Sequence, residues 1–389
     1  MSGDVKKICA LPGDGIGAEI VASALAVLKQ AASQAGFRIE IQEETIGGAA
    51  IDAFNNPLPD RTLRCCKESD AVLLGAVGGP KWDSNPPDMK PETGLLALRK
   101  ALGLYGNLRP VKLLPVLIDC STLKPEVVGG VDFVLVRELT GGLYFGTPRG
   151  ITGDPGKETG FNNMVYQRHE IERIARRAFD LARRRRRKVT SIDKANVLEV
   201  CQLWRKVVTE IAGEYPDVEL NHILVDNCAM QMVLRPTQFD VLLTENMFGD
   251  ILSDIGGVLT GSIGTLPSAS VGDGPALYEP IHGSAPDIAG KDIANPVGTI
   301  NSVALMFEYS FDKPDIAERI NNAVGSVLGE GYRTADIAAA GTRAVGTTEF
   351  TNRILEKIKA SSENLGIKAC DRDKSGVYTK VNEHFVEGA

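Results

Sequence analysis

Long hydrophobic runs are missing from this 389-residue chain; no segment approaches the roughly 18 consecutive apolar residues of a membrane-spanning helix. Basic charge is not in excess either. Lys and Arg number 43 against 50 Asp and Glu, a formal charge of −7 and a pI near 5.4, which excludes nonspecific attraction to nucleic-acid phosphates or anionic lipid. An anionic ligand must therefore be captured by local arginines. The seven cysteines (Cys9, Cys65, Cys66, Cys120, Cys201, Cys228 and Cys370) contain no C-x-x-C pair and have no histidines at zinc-ligand spacing. That excludes a disulfide scaffold or a structural zinc site and implies a reducing compartment. The opening residues, MSGDVKKICALPGDG, carry charges where a signal peptide needs its apolar stretch. A soluble cytoplasmic protein is expected, or one of an organelle stroma or matrix if a transit peptide has been removed. Aromatic residues are scarce, at 6%.

Glycine is abundant, with 41 residues, and suits tight turns between strands and helices around ligands. The length exceeds the ~100–200 residues usual for one domain, so two or more units are expected. Hydrophobic residues at 43% and charged residues at 24% provide a globular core. Strand and helix signals alternate. Val5 to Leu11 reads as a strand, the helical spacing of Ile20, Ala24, Leu28 and Ala31 runs to a stop at Gly36, and residues 37–41 return as a strand. Further strands are expected at 70–76, 131–137, 189–192, 222–225 and 239–243. Helices are expected at 94–102, 168–187, 197–212 and from Met247, with periodic segments at 299–310 and 314–328. The class is α/β. Residues 261–298, rich in Gly, Ser and Pro, read as ligand-binding loops, and the segment after Ala360 as a peripheral appendage.

Several segments carry candidate chemistry. LPGDGIG at 11–17 follows a strand and opens a helix, but its glycines fall at offsets 0, 2 and 4 rather than the 0, 2 and 5 of a dinucleotide fingerprint. A tight strand-to-helix turn is the better reading. TENMFGDILSDIGG at 244–257 places Asp250 and Asp254 one helical turn apart, and Asp226 follows a strand. They either face water or hold a cation; converging carboxylates repel by ~4 kcal/mol per pair at 4 Å and an effective dielectric of 20, and all-oxygen ligands favour Mg²⁺ or Mn²⁺. ETGLLALRKALGLYGNLRP at 92–110 presents Arg99 and Arg109 beside Leu95 and Leu96, suiting a substrate with acid and alkyl parts, although taken alone it is better explained as an amphipathic helix. VRELTGGLYFG at 136–146 adds Arg137 and Tyr144; SIDKANVLE at 191–199 adds Lys194. ALYEPIHGSAPDIAGKDIANP at 276–296 has no helical or strand period and suggests backbone wrapped round a ligand. The basic run Arg183 to Lys188 reads as a solvated helix end complementing the helix dipole, not as a nucleic-acid patch.

Together these segments, from about Lys7 to Lys359, resemble the isocitrate/isopropylmalate family of β-decarboxylating dehydrogenases. The resemblance implies a two-domain fold with a mixed central sheet flanked by helices, not a Rossmann fold. Residues 1–104 and 261–389 would form one discontinuous domain carrying the NAD-binding loops. Residues 105–260 would form an inserted domain with the dimer interface and the metal and catalytic groups. It implies NAD bound by GGPKWD at 78–83, through Gly79, and by HGSAPDIAG at 282–290. Glu92 would approach the nicotinamide ribose, His282, Gly283, Ser284, Ala285 and Asn295 would line the adenosine side, and Asp287 would accept from the ribose hydroxyls and repel the 2′-phosphate of NADP. It also implies that Arg99, Arg109 and Arg137 bind malate carboxylates, that Asp226, Asp250 and Asp254 hold Mg²⁺ or Mn²⁺, and that Asp226 also faces the substrate. Lys194 would act as general base and Tyr144 as proton donor. A homodimer would share the site, Lys194 and Asp226 coming from one subunit and Asp250 and Asp254 from the other. Leu95 and Leu96 favour an isopropyl group over a third carboxylate, by ~0.8 kcal/mol per buried CH₂. The reaction implied is oxidative decarboxylation of 3-isopropylmalate to 4-methyl-2-oxopentanoate in leucine biosynthesis. Oxidation of tartrate, homoisocitrate or longer alkylmalates is the neighbouring alternative, and a noncatalytic subunit the alternative of another class. No nucleic-acid or membrane partner is implied.

Overall fold

The structure, a computed structural model, describes residues 5–364. Strand β1 (Val5–Gly13) leads into helix α1 (Gly17–Ala35), and β2 (Arg38–Glu43) returns parallel to β1. Helices α2 (Gly47–Phe54) and α3 (Asp60–Glu68) precede β3 (Ala71–Ala76) on the other side of β1. Helix α4 (Pro91–Ala101) runs into β4 (Leu104–Lys112), and after the short α5 (Pro125–Val128) strand β5 (Asp132–Glu138) pairs antiparallel with β4. A separate two-stranded ribbon, β6 (Gly150–Thr152) and β7 (Thr159–Phe161), stands exposed. The chain then alternates α6 (Arg168–Arg183), β8 (Lys188–Asp193), α7 (Glu199–Ala212), β9 (Glu219–Leu224), α8 (Val225–Leu234), β10 (Val241–Thr244) and α9 (Asn246–Thr260). An antiparallel pair, β11 (Pro267–Gly272) and β12 (Ala276–Pro280), is followed by α10 (Val297–Tyr309), α11 (Pro314–Gly329) and α12 (Thr347–Asn364), with a minor pair of two-residue strands between the last two.

Ten strands form one mixed sheet in the order β2-β1-β3-β12-β11-β4-β5-β10-β8-β9. The first five places are filled from both ends of the chain and the last five from its middle, meeting where β11 and β4 run antiparallel. Strand periodicity explains how both faces are covered. Ile8, Ala10, Ala71 and Leu73 point to one side, into a core shared with α1, α10 and α11, while the intervening Cys9, Leu11, Val72 and Leu74 point to the other, against Cys65, Cys66 and Leu98 of α3 and α4. The six described cysteines are free thiols, and five are buried packing residues. Among the described residues no helix is long and apolar enough to cross a membrane.

Three expectations need correction. Residues 261–298 are not loops throughout, since β11 and β12 lie at the centre of the sheet; their small and polar residues, PSASVG and ALYEP, hide the period, and Ser268 and Ser270 are buried there. Strand β4 was not anticipated, because Asn107 and Arg109 interrupt its apolar pattern. Helix α6 ends at Arg183, not at residue 187; Arg187 takes a left-handed conformation (φ 59°) that turns the chain into β8. The appendage expected after Ala360 falls largely outside the described residues.

Candidate active site

The register of the sheet assembles a polar row. Thr244 of β10, Arg137 of β5, Asn107 of β4 and Ser270 of β11 are cross-strand partners, so their side chains share a face, and Arg109, two residues beyond Asn107, shares it too. Asn107 donates to Ser270 Oγ at 3.0 Å and accepts from Arg109 Nε at 2.6 Å. Helix α9 lies against this row. Glu245 caps its start, accepting from the Met247 and Phe248 N–H groups at 3.0 and 2.5 Å. Gly249 permits the approach, because a Cβ there would stand 2.3 Å from Thr244 Oγ1 and 2.7 Å from Arg137 Cγ.

This packing gathers three arginines against few counter-charges. Arg99, Arg109 and Arg137 are all buried. Arg99 pairs with Glu279 of β12 at 2.6 Å, Arg109 donates to Ser253 Oγ at 2.5 Å and lies 3.6 Å from Asp250, and Arg137 donates to the same Asp250 carboxylate. Asn246 accepts from Arg137 Nε and Nη2 at 2.9 and 2.7 Å while donating to the Leu139 and Gly141 carbonyls, which ties the guanidinium to the loop carrying Tyr144. Tyr144 donates to Asp250 Oδ2 at 2.9 Å. Burial opposes ionisation of Asp250, yet Arg137 and Arg109 outweigh it and hold the carboxyl below its ordinary value. Burial and the Asp250 charge push the Tyr144 phenol up to about 12. Burial, with Arg137 nearby, pushes the Arg109 value down: three guanidiniums share two carboxylates, a surplus that suits an anionic ligand.

Asp254 is one turn further along α9, exposed, and without a hydrogen-bond or ion-pair partner among the described residues. Burial and Asp250 raise its value. Two hard oxygen donors at this spacing fit part of a divalent-cation site. Lys194, just after β8, and Asp226, in the first turn of α8, form their own pair at 2.8 Å, and Lys194 lowers the Asp226 value. Among the described residues no three His, Cys, Asp or Glu side chains converge as a metal site requires, so Asp226 does not join Asp250 and Asp254 within one chain.

On the other half of the sheet, a cavity of about 530 Å³ is lined by His282, Gly283, Ala285 and Asn295, with Ile16 and Ile288 among its apolar walls. Ser284 is buried behind it and Asp287 is exposed. His282 Nδ1 lies 2.9 Å from the Gly283 carbonyl, and its buried Nε2 has no partner. Burial lowers the basicity of the ring. Gly79 and Glu92 belong to the segment after β3; a Cβ on Gly78 would come 2.6 Å from Glu92 Oε1. Leu95 and Leu96 sit half-buried on α4, which also carries Arg99. The sequence reading passed over Asn107, Asn246, Ser253 and Glu279, which hold the arginines in place, and Asp336, which accepts from Asn295 at 2.9 Å beside the cavity. Their one signal was a polar residue inside an apolar strand or helix face.

Comparison with known proteins places these features in context. The family described as isocitrate/isopropylmalate dehydrogenase matches residues 7–354. A 3-isopropylmalate dehydrogenase of Chlorobium chlorochromatii is 59% identical over 353 residues, covering 91% of this chain and 99% of its own. A chloroplastic 3-isopropylmalate dehydrogenase of Brassica napus is 56% identical over 353 residues, covering 90% and 87%. Among solved structures, an isocitrate dehydrogenase of Methylococcus capsulatus matches with a TM-score of 0.82 at 37% identity, covering 91% of this chain and 99% of that one.

Proposed function

The chain belongs to the isocitrate/isopropylmalate dehydrogenase family, and from that premise we propose that it oxidises and decarboxylates 3-isopropylmalate with NAD, giving 4-methyl-2-oxopentanoate and CO₂. The observation that carries the reading is the buried cluster of Arg99, Arg109 and Arg137 around Asp250, on the same helix-and-sheet frame that presents Leu95 and Leu96. The arginines bind the two malate carboxylates; the leucines cover the isopropyl group, where isocitrate has a third carboxylate. Asp250 and Asp254 of one subunit, with Asp226 of the other, hold Mg²⁺ or Mn²⁺. When bound, the cation supplies a Lewis acid and NAD the hydride acceptor. The chain itself handles the protons. Lys194, acting with Asp226, takes the proton of the C2 hydroxyl, and after CO₂ leaves Tyr144 returns a proton to C3.

NAD suits the cavity beside β12. If His282 Nδ1–H donates to the Gly283 carbonyl, the orphaned Nε2 is an acceptor, as an adenine amino group requires. Among the described residues no lysine or arginine lines that cavity, and Asp287 and Asp336 are acidic, which favours NAD over NADP. A homodimer is supported by exposed apolar residues on two packed helices, Met230 (51%) and Leu234 (56%) on α8, Ile251 (57%) and Val258 (49%) on α9. A two-domain division at 104 and 261, with closure of the two halves over the substrate, is part of this proposal, and the antiparallel seam between β11 and β4 supports it. A cytoplasmic location, or a stroma or matrix, follows from the pathway rather than from the fold.

The test is a steady-state panel of 3-isopropylmalate, isocitrate and tartrate with NAD or NADP, with and without Mg²⁺. The expected result is a kcat/KM for 3-isopropylmalate and NAD at least about 100-fold above the other pairs, lost on chelation. Preference for isocitrate or tartrate would sink the assignment.

A further inference from the structure

We propose that Asp14 is a positioning residue for the cofactor, its buried carboxylate locking the segments 78–83 and 282–290 into one relative geometry. The inference rests on the NAD-dependent reading above. The glycine turn after β1 had no role in that reading, yet it is the hub on which both segments hang.

Asp14 is 5% exposed, and its carboxylate accepts from three backbone N–H groups. Oδ2 accepts from Gly48 at 2.9 Å and from Gly78 at 2.8 Å; Oδ1 accepts from Ala49 at 2.7 Å. Gly48 and Ala49 open α2, where N–H groups have no partner within the helix. Gly78 is the residue before Gly79 in the nucleotide segment. Its carbonyl accepts from Ser284 Oγ at 2.7 Å, and the Ser284 carbonyl accepts from Ile16 N–H at 2.8 Å. The ring is closed: Asp14 to Gly78, Gly78 to Ser284, Ser284 to Ile16, and Ile16 back to Asp14 through the chain. Gly15 lets the ring form, because at φ 57° a Cβ would stand 2.0 Å from the Ser284 carbonyl oxygen. Glu92, which the function places at the nicotinamide ribose, abuts Gly78.

A carboxylate that holds three peptide groups at once cannot be replaced by its amide, since one oxygen becomes an N–H₂ facing N–H donors. Loops so loosened must be ordered when the dinucleotide binds, and the cost falls on cofactor affinity, not on the arginine cluster. In the holoenzyme, Asp14→Asn is expected to raise KM for NAD about 10-fold and to weaken NADH binding, followed by fluorescence titration, by a similar factor. Both kcat at saturating NAD and KM for 3-isopropylmalate should stay within about twofold. Gly15→Ala presses a Cβ against the Ser284 carbonyl, opening the same ring from the turn itself, and should move the same two cofactor parameters about 3-fold; it carries the test if the Asp14 variant does not fold. A KM for NAD unchanged in the folded variants, or a fall in kcat with both KM values raised alike, overturns the proposal. Failure of the wild-type enzyme to reduce NAD overturns the underlying reading instead.

Discussion

Asp250 sits between Arg137, Arg109 and the Tyr144 hydroxyl, and each neighbour fixes one property of the site. The guanidiniums keep it ionised, and burial together with its charge keeps Tyr144 protonated. A phenol held near 12 remains a proton donor across the working pH range. Tyr144→Phe should therefore lower kcat by roughly 100-fold with a smaller change in KM. The sign of the shift adds a second readout: the donor form persists below the raised value, so in the metal-free protein the Tyr144 phenol should ionise only above the ordinary tyrosine range, followed by ultraviolet difference titration of the wild type against Tyr144→Phe. A tyrosine ionising below the ordinary value in the wild type and missing from Tyr144→Phe would contradict the account. Residue types along the sequence were enough to raise Arg99, Arg109, Arg137 and Asp250 as candidates, and only the family resemblance gave them roles. The groups that orient them were not legible. Asn107, Asn246 and Ser253 are ordinary polar residues until the register of β4, β5 and β11 puts them beside a guanidinium, and no local pattern encodes a cross-strand partner.

The basic run at the end of α6 shows the same limit for an element. Its composition alone allows a nucleic-acid patch, but Arg183 pairs with Asp217 at 2.6 Å and Arg185 bridges Asp132 and Asp240 at 2.6 and 2.8 Å, with Arg186 on the Phe239 carbonyl. The run is a clamp joining α6 to β5 and β10. Asp240 is 1% exposed, so Arg185→Ala, which removes its nearer charge partner and leaves only Arg186 at 3.7 Å, should cost about 2 kcal/mol in chemical denaturation, whereas Arg184→Ala should cost under about 0.5. Equal effects would refute the clamp. Arg185 also outweighs burial and lowers the Asp132 value; that stabilisation is present above the ordinary 3.8 and lost as pH falls through the lowered value, so the clamp should weaken only in strong acid. Elements with a clean period, such as α1, β3 and α7, were legible from spacing alone. Strands β11 and β12 were not, because a central strand made of Ser, Ala and Pro gains its stability from neighbours far away in sequence.

At the scale of the whole molecule, the described residues hold two polar clusters whose acids do not converge: Lys194 with Asp226, and Asp250 with Asp254 among the arginines. The exposed apolar faces of α8 and α9 lie beside those residues, which is the arrangement a symmetric pair of chains requires. A centre shared between two chains is expected only through family resemblance, since no spacing along one chain tells which acids come from a second copy. The account therefore stands or falls on mixing Lys194→Ala and Asp250→Asn subunits, each inactive as a homodimer, and assaying NADH formation from 3-isopropylmalate. Random reassociation gives heterodimers in which one of the two sites is intact, so the mixture should recover about a quarter of wild-type activity. A mixture of verified heterodimers that remains inactive would mean that the catalytic groups act within a single chain, contrary to the shared centre proposed here.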